Sequence, residues 1–352
     1  MSSLPRPSLR HLARLTDVVG VVEHARLAEP RRDLGYCTDD AGRLLAVACR
    51  LPGDPDAHRL AAVGLGFLAR AHDGGGCFRL RLGPDGRWTG DPPSDDASGR
   101  ALYGLGVAAV TAPWPEVRAG ARAMFDAATV FRSPWPRATG YAALGAAEVL
   151  ALAPDHTAAR ALVADAAPAL AGRRDDAEWP WPEPRLTYAN ALLCEASLAV
   201  AAARDDQQGR RDALGLLEWL VGVETRKRWF SFTPVGGRGP GDAAPAFDQQ
   251  PIEAWAMADA CSRAFVHTGQ RRWASAVRRA ADWFAGANDV SVAMFDPATG
   301  GGFDGLEPAG VNRNQGAEST LAFVAATAQA RALSRQVQPA RSRRAAASAS
   351  RR

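Results

Sequence analysis

Cysteine is scarce and scattered in this sequence, with five residues among 352 and no CxxC pair. The chain therefore lacks both the ligand spacing of a zinc site and the disulfide framework of a small secreted protein. No stretch reaches about 18 apolar residues without a charge, so no membrane span is predicted. The first 20 residues also lack the continuous apolar core of a secretory signal. These absences favour a cytoplasmic protein with reduced thiols and without a metal site.

Several other signals are missing as well. Long alternating strand patterns are absent, and only short stretches such as "RWFSFTPV" favour local hairpins. There is no P-loop and no dinucleotide-binding fingerprint, so no nucleotide cofactor is predicted. The aspartate motifs DDxxD and DxDD of isoprenoid enzymes are absent too. We therefore expect no cofactor and no isoprenoid chemistry.

The positive charge of the chain is concentrated at its C-terminus. Residues 335–352 hold six arginines and no acid, so removing them from the formal net charge of +4 leaves about −2 for the rest. A body of this charge does not attract polyanions, and we expect neither a nucleic-acid nor a membrane partner. We predict a single domain over residues 1–334 and a disordered basic tail over 335–352.

A helical unit recurs along the chain. Six segments combine a polar cluster with a run of small apolar residues, and their starts are 42 to 66 residues apart. They are "CTDDAGRLLAVACR", "SDDASGRALYGLGVAAV", "PRATGYAALGAAEVLAL", "TYANALLCEASLAVAAA", "DQQPIEAWAMADACSRAF" and "NQGAESTLAFVAATAQA". Helical patterns with a more charged face alternate with them.

This alternation predicts an all-α fold. A helix that is apolar or small nearly all round must be buried, whereas a surface helix keeps a polar face. The six small-residue segments are therefore inner helices, and the charged segments between them are outer helices. Six hairpins of this kind form an (α/α)6 toroid, in which all inner helices run in one direction. Their N-termini then meet at one end, which we call the mouth.

Polar side chains mark the starts of the predicted inner helices. Five helices carry a pair spaced four residues apart, which places both side chains on one face. The fourth inner helix has Tyr188 and Asn190 instead. Helix capping and surface ion pairs would explain any single pair, whereas the repetition favours a ring of functional groups around the mouth. The pairs are Asp39/Arg43, Asp96/Arg100, Arg137/Tyr141, Gln249/Glu253 and Asn314/Glu318.

The loops that lead into these helices add aromatic and acidic residues. Carboxylates and amides bind sugar hydroxyls, and an aromatic plane suits the apolar face of a sugar ring. An acidic mouth flanked by tryptophan and tyrosine therefore favours a carbohydrate ligand, with packing against helix ends as the alternative role for these tryptophans. The loop residues are Trp88, Asp91, Trp179, Trp181, Glu183, Arg185, Tyr188, Phe303 and Asp304.

The stretches "YCTDDAGR", "WPEPRLTYANA", "FDQQPIEAWAM" and "NQGAESTLAF" resemble a family of bacterial proteins found alone or joined to glycosyltransferases. That family belongs to the six-hairpin glycosidase-like superfamily, and the resemblance covers residues 33–330. It implies a toroid, a carbohydrate substrate and a glycosyltransferase as a partner. Asn190 and Gln315 match the family pattern, whereas Ala41 stands where the family often has asparagine.

Glycoside hydrolysis needs two carboxyl groups, one to protonate the leaving group and one to activate water or attack. We predict that Asp39 or Asp40 and Asp95 or Asp96 carry this chemistry. Arg43, Arg100 and Arg185 would orient these carboxyl groups. Predicted substrate-binding residues are Arg43, Arg100, Trp181, Glu183, Arg185, Tyr188, Asn190, Asp248, Gln249, Glu253, Asp304, Asn314, Gln315 and Glu318.

Two other functions compete with hydrolysis. A non-catalytic glycan-binding module acting beside a glycosyltransferase would use the same acidic and aromatic mouth. A toroidal epimerase would need a catalytic histidine in the funnel, and the six histidines lie mostly on outer-helix or N-terminal stretches, which argues against it. These are His11, His24, His58, His72, His156 and His267.

Overall fold

The computed structural model describes residues 4–89, 93–171, 176 and 178–337. Twelve α-helices lie within these residues: α1 (Arg10–Leu15), α2 (Thr38–Arg50), α3 (Ala57–Ala71), α4 (Asp95–Thr111), α5 (Pro115–Ala128), α6 (Pro136–Leu152), α7 (Thr157–Leu170), α8 (Asn190–Ala203), α9 (Gln207–Val223), α10 (Pro251–Thr268), α11 (Arg271–Phe284) and α12 (Ala317–Val337).

The even-numbered helices form a closed inner ring. Each of α2, α4, α6, α8 and α10 packs against the next even-numbered helix, and α12 returns to pack against α2. Every residue of α4 from Ala97 to Ala109 is buried, as a helix enclosed on most sides requires. Helices α3, α5, α7, α9 and α11 pack outside the ring. The predicted all-α toroid is therefore confirmed.

The outer helix of the sixth hairpin comes from the N-terminal end of the chain. Helix α1 packs against α12 and takes the outer position that no later helix fills within the described residues. Leu9, Leu12 and Leu15 have no exposed surface, so this short segment contributes fully to the core. The N-terminus and the last helix thus complete the ring together.

Small residues let the inner helices approach backbone to backbone. A Cβ atom at Gly104 of α4 would lie 2.3 Å from the carbonyl oxygen of Gly42 in α2. A Cβ atom at Gly106 would lie 2.3 Å from the carbonyl oxygen of Gly145 in α6. Because real Cβ atoms do not approach oxygen so closely, only glycine fits at these two crossings.

At the start of α4, the residue that caps the helix is not one of the two acidic residues. Ser94 is the N-cap, and its hydroxyl accepts a hydrogen bond from the backbone N–H of Ala97 at 3.3 Å. Asp95 and Asp96 follow in the first turn, where carboxylates are favoured by the helix dipole. Their side chains are therefore available for other partners.

Short antiparallel hairpins decorate the loops between the helices. They pair β1 (Ala25–Arg26) with β2 (Glu29–Pro30), β4 (Arg81–Leu82) with both β3 (Tyr36–Cys37) and β5 (Trp88–Thr89), β6 (Thr225–Arg226) with β7 (Trp229–Phe230), and β8 (Gly305–Glu307) with β9 (Gly310–Asn312). In the central sheet, Leu82 lies opposite both Tyr36 and Trp88. Strands β3 to β9 lie in segments that lead into inner helices, so they build the rim of the mouth.

The C-terminal helix runs past the predicted domain boundary. Helix α12 continues to Val337, so the helix extends three residues into the segment assigned to the tail. The rest of that segment, residues 338–352, lies outside the described residues. None of the helices in the described part of the chain has the length and apolarity needed to cross a membrane.

Candidate functional site at the mouth of the toroid

The starts of four inner helices enclose a cavity of about 410 Å³ at the mouth. We call it the mouth cavity. Its acidic wall comes from α2, α4 and α12 and from the loops before α2 and α12, and Gln250 adds an amide at the start of α10. The polar and charged residues around it are Glu23, His24, Asp39, Asp40, Arg43, Arg81, Ser94, Asp96, Gln250, Asp304, Glu318 and Ser319.

Two buried arginines pair with the acids of α2 and α4. Arg43 donates to Asp40 at 2.7 Å and also pairs with Glu318 of α12 at 2.7 Å. Arg100 donates to Asp39 across the helix interface at 3.0 Å and lies 3.2 Å from Asp96 in its own helix. The ion pairs thus link neighbouring inner helices, and Arg43 contacts Asp40 rather than the residue four positions before it.

The adjacent acids Asp39 and Asp40 are held differently. Asp40 is 2% exposed, and burial raises the pKa of its carboxyl group to about 7 against the opposing effect of Arg43. Asp39 accepts from Arg100 through Oδ2, while its Oδ1 atom is buried and has no hydrogen-bond partner among the described residues. One carboxyl group can therefore carry a proton near neutral pH, and the other has a free acceptor atom.

Asp96 and Asp95 also differ. Asp96 lines the mouth cavity and accepts a short hydrogen bond from the hydroxyl of Tyr188. Asp95 is not part of the cavity wall, and its Oδ2 atom accepts from Ser133 at 2.7 Å. Of the four predicted catalytic acids, the structure therefore brings Asp39, Asp40 and Asp96 together at the mouth.

Tyr188 lies in the loop before α8 and links Arg137 of α6 to the acidic residues at the mouth. It is 40% exposed, and the guanidinium of Arg137 lies over its ring at 4.8 Å. Arg137 also donates to both oxygens of Glu183, at 2.7 and 2.9 Å. Trp181 is fully buried and donates to Glu183 at 3.3 Å, so it supports the loop from below and offers no exposed face to a sugar.

Glu253 and Asn190 fix the start of α8. Glu253 accepts from the backbone N–H groups of Ala189 and Asn190 and from the Asn190 side chain. Burial, with a further contribution from Glu224, raises the pKa of Glu253 to about 8. Ala189, the N-cap of α8, takes the left-handed conformation at φ 46°. These contacts anchor the helix end.

On the α10 and α12 side, Asp304 and Asp248 are two further carboxyl groups with raised pKa values. Asp304 lines the mouth cavity and accepts from the backbone N–H of Gly316 at 2.8 Å. Burial raises the pKa of Asp304. Burial and the nearby Glu307 carboxylate raise the pKa of Asp248 to about 6, and its buried Oδ1 atom has no hydrogen-bond partner among the described residues.

Four other predicted binding residues hold loops in place. Gln249 is fully buried and donates to Asp289 at 2.9 Å. Asn314 accepts from the backbone of Leu27 at 2.9 Å. The amide oxygen of Gln315 accepts from Thr299 at 2.6 Å. Arg185 pairs with Asp242 at 2.9 Å on the surface. None of the four lines the mouth cavity.

Three further loop residues pack against other side chains of the protein. Trp88 packs edge-on against Phe67 at 5.4 Å, and Trp179 packs edge-on against Trp219 at 5.1 Å. Phe303 is buried in the core. Asp91 lies outside the described residues.

Sequence reasoning missed Glu23, His24 and Arg81 as cavity residues. Glu23 pairs with Arg81 at 2.7 Å and lies 3.6 Å from the His24 ring. The expectation that the funnel contains no histidine is therefore wrong, because the N-terminal segment before α2 folds back over the mouth. A histidine outside the helical repeat gives no periodic signal, so only the chain path shows its position.

Comparison with known proteins supports the fold. No protein-family model and no curated protein matches the sequence. A cellobiose 2-epimerase from Bacillus thermoamylovorans matches with a TM-score of 0.70 at 12% identity, over 94% of this chain and 96% of that chain. A D-mannose isomerase matches with a TM-score of 0.64 at 11% identity, over 92% and 96%.

A GH76 α-mannanase from Bacteroides thetaiotaomicron also matches, with a TM-score of 0.64 at 10% identity over 94% of this chain and 95% of that chain. At such low identity the shared property is the arrangement of helices. The chain therefore has the six-hairpin α/α-toroid fold that these carbohydrate-processing enzymes also have.

Proposed function

We propose that this protein is a carbohydrate-active enzyme that binds an oligosaccharide in the mouth cavity and hydrolyses a glycosidic bond. The observation that carries the proposal is the contrast between the neighbours Asp39 and Asp40 in one cavity wall. Acid–base catalysis needs one carboxyl group that holds a proton and one that accepts a proton. The fold is compatible with this chemistry, since a mannanase and cellulases share it.

The proposed roles follow from the contacts. Asp40 donates its proton to the glycosidic oxygen as the bond to the anomeric carbon breaks. Asp39, which lines the mouth cavity, takes a proton from the attacking water. Arg43 and Arg100 hold the two acids in place. Asp96, Asp304 and Glu318 accept hydrogen bonds from sugar hydroxyls at the cavity wall.

Epimerisation is the second candidate, and the position of His24 favours it. An imidazole nitrogen serves readily as a base in enzymes. Beside Asp304 and Glu23, His24 would remove the proton next to the carbonyl of an open-chain sugar, and a protonated group opposite would return one. Three epimerases and an isomerase share the fold.

One set of incubations in D₂O distinguishes hydrolysis, epimerisation and phosphorolysis by the mass of the product. The full chain is incubated in D₂O with cellobiose, manno-oligosaccharides and aryl glycosides, with and without inorganic phosphate, and products are returned to H₂O before mass spectrometry. Hydrolysis gives fragments that have gained one water. Epimerisation gives a product with one carbon-bound deuterium, and phosphorolysis gives a sugar phosphate. Binding of a glycan without any product would instead indicate the glycan-binding module, with a glycosyltransferase as the partner implied by the resemblance.

Asparagine variants test the roles of the acids. Asp39→Asn and Asp40→Asn keep size and hydrogen-bonding reach but remove the titratable proton, so kcat/KM should fall by about 10²-fold or more while the melting temperature stays near wild type. Asp95→Asn is the matched comparison, because this acid bonds to Ser133 outside the cavity wall. Normal turnover in both Asp39 and Asp40 variants would contradict the assignment.

A further inference from the structure

A second, larger cavity lies at the opposite end of the toroid. It has a volume of about 680 Å³, and C-terminal halves of inner helices line most of it. We call it the far cavity. Its volume falls in the range of small-molecule sites in proteins. The proposed reaction at the mouth does not use any of its residues.

The floor of the far cavity is a network of partly buried ion pairs. Arg50 donates to Asp259 at 3.0 Å. Arg263 donates to Glu148 at 2.8 Å and to Glu195 at 3.0 Å. Asp259 and Glu195 are the buried members, and each accepts from an arginine, as a buried carboxyl group requires. The network joins α2, α6, α8 and α10, and it presents donors and acceptors side by side at the cavity floor.

Asp259 has an unsatisfied acceptor. Its Oδ2 atom accepts from Arg50 at 3.0 Å and from Trp255 at 2.8 Å, whereas Oδ1 is buried and has no hydrogen-bond partner within the described residues. Asp259 is 6% exposed. It also borders a cavity of about 20 Å³, which has room for one water molecule. Asp259 thus lies between this small cavity and the far cavity.

The lining carries charges of both signs. The three carboxyl groups on the floor are paired with Arg50 and Arg263, so the floor offers a charged ligand no unpaired counter-ion. Arg331 and Arg335 also line the cavity, and Arg331 donates to the backbone of Leu4. The described residues contain no group of three or more His, Cys, Asp or Glu side chains placed to bind a metal ion.

Apolar side chains complete the lining. Val47 and Leu51 come from the end of α2, and Ala325, Ala328 and Ala332 form a stripe on α12. Paired donors and acceptors on one side and aliphatic groups on the other match a ligand with hydroxyl edges and an apolar face. We infer that the far cavity is a second binding site for a neutral polyhydroxylated compound such as a sugar.

The test measures binding to the full chain by isothermal titration calorimetry and saturation-transfer NMR. The probes are cellobiose and D-mannose, with inorganic phosphate and putrescine as charged alternatives. Ala328→Phe places a ring in the far cavity from a half-buried position. Ala127→Phe adds the same ring at an exposed position on α5 that is not in the wall of either cavity, and it is the matched control.

We expect cellobiose or D-mannose to bind to the wild-type chain. Its affinity should fall at least tenfold in Ala328→Phe and stay at the wild-type value in Ala127→Phe. This binding should persist in Asp39→Asn, which alters the mouth alone. Asp259→Asn, which keeps the size of the side chain, should weaken it as well. Normal turnover in both Asp39→Asn and Asp40→Asn, together with sugar binding that is sensitive to Ala328→Phe, would overturn only the proposed function.

Two results would overturn the inference. One is that neither sugar binds at a site sensitive to Ala328→Phe. The other is that phosphate or putrescine binds there in place of the sugars. Thermal melting of every variant shows whether a loss of binding reflects unfolding. If Ala328→Phe fails to fold, Gln329→Trp replaces it, because this substitution fills the same cavity from the neighbouring half-buried position.

Discussion

Asp40 and Asp95 occupy the first turns of two neighbouring inner helices, yet their surroundings give them different properties. Asp40 is buried beside Arg43, and burial raises the pKa of its carboxyl group to about 7. Asp95 lies near the surface and accepts a hydrogen bond from Ser133. The same residue type in the first turns of two inner helices is therefore in one case a candidate acid and in the other a loop contact.

The raised pKa of Asp40 predicts how stability depends on pH. Between pH 4 and pH 7 the folded protein holds a proton that the unfolded chain releases, so stability falls as pH rises through this window. A shift of the pKa from 3.8 to about 7 corresponds to at most about 4 kcal/mol. Burial raises the pKa of Glu195 to about 7 as well, which adds to the slope with the same sign.

Thermal melting from pH 5 to pH 8 measures this dependence. We expect the melting temperature of Asp40→Asn to fall less steeply with pH than that of the wild type. Asp95→Asn should show the wild-type slope. Parallel curves for all three proteins would mean that Asp40 is ionised in the folded protein.

At the scale of helices, the short distance between the backbones of neighbouring inner helices determines which residues fit where the helices cross. Helices α2, α4 and α6 cross at glycines whose added Cβ atoms would meet a facing carbonyl oxygen at 2.3 Å. Glycine inside a helix ordinarily lowers its stability relative to alanine. Its presence at Gly104 and Gly106 therefore reflects tertiary packing rather than helix propensity.

A pair of alanine substitutions separates these effects. Gly106→Ala should destabilise the protein by about 1–3 kcal/mol, because α4 and α6 must move apart. Gly215→Ala in α9, where the added Cβ meets no atom within 4 Å, should instead stabilise it by about 0.5–1 kcal/mol. Urea unfolding of both variants measures the difference. Equal effects at the two positions would show that the helices are not closely packed at Gly106.

At the scale of the whole molecule, closure of the ring depends on residues that are far apart in sequence. Helix α1 packs against α12, and Arg331 donates to the backbone of Leu4 at 2.9 Å. The segment between α1 and α2 then covers the mouth and brings Glu23 and His24 to its cavity. The N-terminal residues thus complete both the core and the candidate site.

Removing a core side chain from α1 tests this closure. Leu12→Ala leaves a cavity at a fully buried position, so the unfolding free energy should fall by about 2–5 kcal/mol. Unfolding should remain a single transition, because α1 belongs to the same core as α12. Val18→Ala, at a position that is 91% exposed, should change stability by less than about 0.5 kcal/mol. An early, separate transition in Leu12→Ala would show that α1 folds independently.

The sequence by itself determined the helices and their arrangement. Segments rich in alanine and glycine on all sides must be buried, and their alternation with charged helices leaves few architectures besides a closed ring. The same pattern located acids in the first turns of α2 and α4. These properties are local, since helix formation and burial preference depend on residues three and four positions apart.

Only the tertiary structure decided which polar groups meet. The rotation of each helix about its axis pairs Arg43 with Asp40 and Arg100 with Asp39, and a four-residue spacing within one helix does not fix such contacts. Chain path brought His24 to the mouth, and loop packing took Gln249 and Gln315 away from the cavity. The far cavity likewise depends on where inner helices end relative to one another. Side-chain partners across helices are set by packing of the complete ring, which no single segment encodes.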